Sequence, residues 1–104
     1  MGIVHVFAVI SAQPGKRDEL LRIFQANVPA VHAEDGCIEY RAVIDLEGAG
    51  SFQSALGPDT FAVVEKWTTM EALAAHAAAP HMKAYGEAAK GLLASRTIHV
   101  LRDA

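Results

Sequence analysis

Cysteine is almost missing from this sequence of 104 residues, where Cys37 is the only one. One thiol cannot close an internal disulfide, and it is too few for a cysteine-based structural zinc site. The composition therefore favours a reducing compartment, and we expect a cytoplasmic protein. Because Cys37 follows Gly36 and has no cationic neighbours in sequence, it is predicted to be a buried small hydrophobic side chain rather than a reactive thiolate.

Long apolar runs and an excess of positive charge are also lacking. No run approaches the roughly 18 residues of a membrane-spanning helix, and the first residues carry no positively charged signal segment. Twelve acidic residues outweigh nine basic ones for a net charge of -3, and the basic residues form no cluster. We therefore expect neither a membrane partner nor a nucleic-acid partner.

The residues that are present suffice for one folded core. Hydrophobic residues make up 52% of the chain and charged residues 20%, a balance that excludes general disorder. Chains usually divide into separate cores only well beyond about 200 residues. The sequence therefore predicts a single domain over residues 1–104.

Changes in the period of the hydrophobic pattern predict the first elements. β-branched and aromatic residues at 3–11 predict a strand that is apolar on both faces. The spacing after Gly15 predicts a helix ending near Asp35, with a kink or restart near Asn27 caused by Pro29. Alternation over 37–46 predicts a second strand, with an inward row formed by Ile38, Tyr40, Ala42, Ile44 and Leu46.

The second half of the chain repeats this order after a long loop at 47–59. Residues 60–67 predict a third strand, and Thr68 with Glu71 forms a capping-box pattern that predicts a helix start. Pro80 predicts an interruption and a second helix, and residues 96–101 predict the last strand. The inward positions of the first of these helices are predicted to be Met70, Leu73, Ala74 and Ala77.

This βαββαβ order predicts an α+β, ferredoxin-like fold with a four-stranded antiparallel sheet and helices on one face. The helices can cover only one side of the sheet, yet the first strand is apolar on both. We therefore expect the other side to meet an identical sheet in a homodimer.

No phosphate loop, dinucleotide fingerprint or nucleophile elbow occurs in the sequence. Candidate site residues are instead polar and aromatic side chains that border the predicted space between sheet and helices. These are Tyr40, Glu65, Trp67, His76, His81 and Tyr85.

Two histidines could act as a general base near neutral pH. His76 borders the apolar stripe of its helix and is either a base at the pocket wall or a hydrogen-bonded boundary residue. His81 stands at a helix start, where the dipole favours the neutral ring, and is either a base or a solvent-facing residue. They are five residues apart rather than four and lack a nearby third ligand, so no metal is expected. His5 and His99 are expected to be core or dimer residues.

Glu65 and Trp67 share one face of the third predicted strand, in a row of apolar side chains. Burial there would raise the pKa of the Glu65 carboxyl unless a partner such as Arg41 or Arg96 neutralised it. A structural and a catalytic role for Glu65 both remain open. Trp67 could stack on a planar ligand or lie in the core.

Four short strings, at residues 36–40, 65–67, 75–76 and 80–85, together resemble the antibiotic biosynthesis monooxygenase family, and within it the bacterial quinol (menadiol) monooxygenases. The similarity extends from Pro14 to Leu101. The resemblance implies dimeric ferredoxin-like subunits that oxidise hydroquinones or other planar phenols with O₂ as co-substrate and without a metal or flavin cofactor.

The resemblance also implies roles for the candidate residues. His76 or His81 would remove a proton from the substrate hydroxyl, since a deprotonated hydroquinone is electron-rich enough to reduce O₂. The substrate contacts would come from Trp67 and Phe52 bordering the ring and from Tyr40, Glu65 and Tyr85 orienting it.

Other activities in this family are less well matched. Haem-degrading members have an asparagine on the first strand, and residues 3–11 contain none. Two alternatives remain: an isomerase of a small carbonyl or phosphorylated signalling compound, although the sequence has no arginine cluster for a phosphate, and a module that binds quinones without transforming them.

Overall fold

The computed structural model describes residues 2–104 and contains four strands and three helices. They are β1 (Val4–Ala12), α1 (Arg17–His32), β2 (Cys37–Val43), β3 (Thr60–Trp67), α2 (Met70–Ala77), α3 (Pro80–Ala89) and β4 (Leu93–Leu101). The predicted order and the split second helical element are confirmed. The bounds of β3 agree with the prediction, whereas β2 ends three residues early and β4 begins three residues early.

The strands form one sheet in the order β2-β3-β1-β4, and every neighbouring pair is antiparallel. This is the predicted ferredoxin-like arrangement. None of the helices within residues 2–104 combines the length and the apolar character required to cross a membrane.

The core lies between one face of the sheet and the helices. On β1, Val6, Ala8 and Ile10 are buried, whereas Phe7 between them is 39% exposed. The register places Val6 between Glu65 of β3 and Val100 of β4. Glu65 is therefore carried on the helix-covered face, which fixes the position of the site described below.

Helix α1 is continuous through Pro29, so the predicted restart near Asn27 is wrong. A proline removes one backbone donor from a helix but leaves its carbonyl available, and here the carbonyl of Pro29 accepts from the amide of Ala33 at 3.2 Å. Phe24 and Val31, on either side of the proline, are both buried in the core. Their packing holds the helix against the sheet at both ends of the weakened turn.

The start of α2 also differs from the prediction. The N-cap is Thr69 rather than Thr68, and its hydroxyl accepts from the amide of Ala72 at 3.0 Å. The predicted inner face of this helix is confirmed, since all four predicted residues line the cavity described below. Of these only Leu73 is buried, together with His76, whereas Met70 is 50% exposed.

The predicted inward row of β2 is correct only in part. A register shift between Cys37 and Glu39 inserts an extra residue, which leaves Ile38 49% exposed. Because the strand ends at Val43, the side chains of Ile44 and Leu46 are exposed as well. The bulge preserves the inward position of Tyr40, which lies opposite Glu65.

Candidate active site

A cavity of about 950 Å³ lies between the helix-covered face of the sheet and helices α2 and α3. Most of its walls are apolar, with contributions from Val6, Ala8, Val63, Leu73 and Met82. The predicted site residues that line it are Tyr40, Glu65, His76 and Tyr85.

His76 supplies an imidazole to the cavity wall, and a carboxylate holds that ring. His76 is buried, with a residue exposure of 5%, and its Nδ1 lies 2.8 Å from Oε2 of Glu34. An ionised carboxylate only accepts hydrogen bonds, so the network assigns the proton to Nδ1 and leaves the lone pair on Nε2. No group among residues 2–104 hydrogen-bonds to Nε2. The ring therefore offers a proton acceptor at the wall of an apolar cavity.

Glu34 was not identified from the sequence. It lies in the turn between α1 and β2, and no local spacing connects it with His76, which is 42 residues away in the chain. Gly36 allows this turn to approach α2, because a Cβ there would lie 2.6 Å from the Cβ of Ala72 and from Oγ1 of Thr68. The positive φ of Gly36, 84°, also favours glycine. An acid beside a glycine turn was the only signal in the sequence, and it is not specific.

Glu65 is buried on β3 and satisfied by its neighbour on the same face. Its Oε1 accepts a hydrogen bond from the indole Nε1 of Trp67 at 2.9 Å. Burial raises the pKa of the Glu65 carboxyl, and the indole hydrogen bond opposes that rise, as does His76 when its ring is protonated. Burial thus favours the protonated carboxyl, which can both donate to and accept from a substrate oxygen.

Neither predicted arginine partner of Glu65 is found. Arg41 lies opposite Val64, on the other face of the sheet, and pairs with Glu39 at 2.6 Å. Arg96 lies opposite Ile10, two rows away from Glu65, and forms no ion pair with any acid in residues 2–104. Arg41 was wrongly predicted because alternation along β2 places it on the opposite face from Glu65. Arg96 was wrongly predicted because the register of β4 places it two rows away.

Trp67 lies behind the cavity wall rather than in it. Its side chain has no exposed surface, and its ring packs on His76 with centroids 4.7 Å apart and planes at 37°. The structure thus supports the core role for Trp67, which fixes Glu65 by a hydrogen bond and His76 by packing. The predicted surface for stacking a ligand is not accessible at this residue.

His81 and Phe52 also lie outside the cavity wall. The Nδ1 of His81 is 3.2 Å from Oδ1 of Asn27, and its Nε2 is 3.1 Å from Oε2 of Glu34 but without hydrogen-bond geometry. Phe52 is 86% exposed on the loop between β2 and β3. Of the two histidines considered as bases, only His76 faces the cavity.

Two tyrosines complete the polar part of the site. Tyr40 stacks on Phe24 with centroids 5.2 Å apart, and burial together with the charge of Glu65 raises the pKa of its phenol. Burial also raises the pKa of Tyr85, an effect that the positive charge of Arg96 partly offsets. Both side chains therefore stay neutral hydrogen-bond donors and acceptors at physiological pH.

Comparisons with known proteins agree with this architecture. The family model described as "Antibiotic biosynthesis monooxygenase" matches residues 3–88. The Escherichia coli K12 protein "Probable quinol monooxygenase YgiN" is 39% identical over 99 residues, which cover 93% of this chain and 94% of that protein.

Solved structures show the same fold. PA3566 from Pseudomonas aeruginosa superposes with a TM-score of 0.82 at 25% identity, covering 100% of this chain and 96% of that one. Rv0793 from Mycobacterium tuberculosis gives a TM-score of 0.79 at 24% identity, covering 98% and 95% of the two chains.

Proposed function

The chain belongs to the antibiotic biosynthesis monooxygenase family, and on that premise we propose that it oxidises a hydroquinone or similar planar phenol with O₂, without a metal or flavin. The observation that carries the proposal is the Glu34–His76 pair, which presents an unbonded imidazole nitrogen at the wall of an apolar cavity. The description of the E. coli relative as a probable quinol monooxygenase supports a quinol as the substrate class.

The first step is removal of a proton from a substrate hydroxyl by Nε2 of His76. As Nε2 gains the proton, the ring becomes a cation, and the carboxylate of Glu34, 2.8 Å from Nδ1, stabilises it. Positioned acid–base groups of this kind contribute roughly 10²- to 10⁴-fold to rate. The resulting hydroquinone anion is a stronger electron donor than the neutral molecule.

The reaction balances without an external reductant. A hydroquinone and O₂ give a hydroxyquinone and water: one oxygen atom enters a ring C–H bond and the other leaves as water. The hydroquinone supplies all four electrons, two from its hydroxyl-bearing ring system and two from the C–H bond. The protein therefore has to bind, deprotonate and shield the substrate.

The remaining wall residues suit these tasks. Glu65 and the phenols of Tyr40 and Tyr85 can orient the two substrate oxygens, since all three line the cavity. The apolar sheet residues beneath them exclude water from the substrate anion and from reduced oxygen species.

The test is oxygen uptake with menadiol, using protein treated with chelator and freed of flavin. We expect uptake above the spontaneous rate and a hydroxylated product that carries one ¹⁸O atom from ¹⁸O₂. Turnover of a carbonyl compound under strict anaerobiosis would indicate the isomerase instead, and saturable quinone binding without oxygen uptake would indicate a binding module.

We also propose that the chain forms a homodimer through the helix-free face of its sheet. On that face, the register places Phe7 between Val64 of β3 and His99 of β4. Phe7 and Leu101 are 39% and 49% exposed, although both are large and apolar. A second copy of the same face would cover these side chains and leave the cavity on the opposite face open.

A further inference from the structure

The cavity has a charge distribution opposite to that of the whole chain. The protein has 12 acidic and 9 basic residues, yet the cavity is lined by three basic residues and a single acidic one. The acid is the buried Glu65, and the three bases are the exposed Lys83, Lys90 and Arg96.

The three cations lie at the mouth of the cavity. Lys83 lies on α3 and Lys90 is the C-cap of that helix, seven residues or about two turns further along the same face. Arg96 lies on β4 opposite Ile10 and thus on the helix-covered side of the sheet. The three cations are exposed whereas the lining residues Leu73 and His76 are buried, so the cations lie nearer the solvent.

These cations have no acidic partner among residues 2–104. Within the chain from residue 2 to 104, no salt bridge involves Lys83, Lys90 or Arg96, whereas Lys66 and Arg41 both pair with Glu39. Three unpaired positive charges around one opening create an attractive field for an anion. A carboxylate is costly to bury in the apolar interior, so it would remain at the mouth.

We propose that the natural substrate is a hydroquinone bearing an ionised carboxylate, which the three cations hold at the mouth while the ring reaches His76. The proposal rests on the proposed function, because it names the substrate class of the same site. It also explains how a nearly symmetric planar ring is oriented: the carboxylate fixes which hydroxyl approaches Nε2.

The binding test needs no turnover. The probes are 2-naphthoate and 2-naphthamide, which share shape and differ in charge, measured by calorimetry at low ionic strength. We expect the carboxylate to bind roughly tenfold more tightly, as three weak exposed ion pairs would allow, and the preference to shrink as salt is added. Equal affinities for the two probes would overturn the proposal.

Substitutions test whether the three cations cause the preference for the carboxylate probe. The triple substitution Lys83→Gln, Lys90→Gln and Arg96→Gln should abolish it, while Arg22→Gln, an exposed arginine on α1 outside the cavity, should retain it. Retention of the preference in the triple variant would contradict the proposal. The salt dependence of the unmodified protein gives a second answer if the triple variant does not fold.

Turnover separates this proposal from the function on which it rests. With a naphthohydroquinone carboxylate and its amide, the triple variant should lose kcat/KM mainly on the carboxylate. Equal losses of kcat/KM on both substrates would indicate that the cations act on the substrate phenolate, and this would overturn the proposal. Failure of oxygen uptake together with a preserved naphthoate preference would instead reject the monooxygenase function alone.

Discussion

The two faces of the sheet treat their side chains in opposite ways. On the helix-covered face, the polar groups of Glu65 and His76 are buried, and each is hydrogen-bonded to a specific partner. On the helix-free face, Phe7 and Leu101 are apolar and exposed. A buried polar group is costly unless it is paired, whereas exposed apolar surface favours association. This contrast is the reason for proposing chemistry on one face and self-association on the other.

The largest effect should come from removing the base on the helix-covered face. His76→Gln should lower kcat/KM for menadiol by roughly 10²- to 10⁴-fold, since the amide cannot take the hydroxyl proton. His99→Gln makes the same change on the helix-free face and should alter kcat/KM by no more than about twofold. Steady-state oxygen uptake measures both, and similar losses in the two variants would break the contrast.

Removing the charge behind the base should have a smaller effect. Glu34→Gln keeps an oxygen for Nδ1 but no longer stabilises the imidazolium, so we expect a loss of about 10- to 100-fold in kcat. Asp35→Asn changes the adjacent, exposed acid and should leave kcat unchanged. Full activity in Glu34→Gln would show that the pair is structural only.

The proposed dimer contact on the helix-free face is tested by measuring the molecular mass of the protein in solution. Light scattering should give twice the 11.1 kDa chain mass for the unmodified protein and the single chain mass for Phe7→Glu, because a dimer would bury two carboxylates without partners. Ile98→Glu places the same charge on the helix-covered side of β4, where Ile98 is 51% exposed, and should remain dimeric. A monomeric unmodified protein would contradict the assignment of this face.

The smallest effect is expected on the stability of the protein as pH changes, through Glu65 on the helix-covered face. Burial raises the pKa of Glu65 in the native state above its ordinary 4.5. At pH values between 4.5 and this raised pKa, the native state therefore binds more protons than the unfolded state. Stability of the unmodified protein should therefore fall as pH rises through that window and stay lower above it.

Glu65→Gln cannot titrate and keeps an acceptor for the indole of Trp67. Its melting temperature should match that of the unmodified protein below pH 4.5 and exceed it by a few degrees at neutral pH. Thermal scans across pH measure this difference. Glu39→Gln on the helix-free face is a comparison of opposite sign, because Lys66 and Arg41 lower the pKa of Glu39 and its removal should cost stability as pH rises. A constant difference at all pH values would show that Glu65 is not destabilised by burial.

The sequence predicted the elements better than the contacts between them. Local patterns sufficed for β3, for the split of the second helical element at Pro80 and for placing Glu65 and His76 on a shared cavity. They could not reveal Glu34, which approaches His76 only through the tertiary fold. Local patterns also could not decide whether Trp67 packs in the core or stacks on a ligand, since both roles require the same inward position on β3.

The predicted contacts of Phe52 failed for a related reason. An aromatic residue in a long loop is equally compatible with a lid over a site and with an exposed tip, and the structure gives the second. The bulge in β2 likewise depends on pairing with β3, which alternation within a single strand does not encode.

The most direct measurement is a crystal structure of the protein with menadiol bound under anaerobic conditions. We expect the ring between the apolar walls, one hydroxyl oxygen within about 3 Å of Nε2 of His76, and Nδ1 still hydrogen-bonded to Glu34. A quinol bound elsewhere, or one in the cavity whose oxygens contact only His81 or solvent, would contradict it.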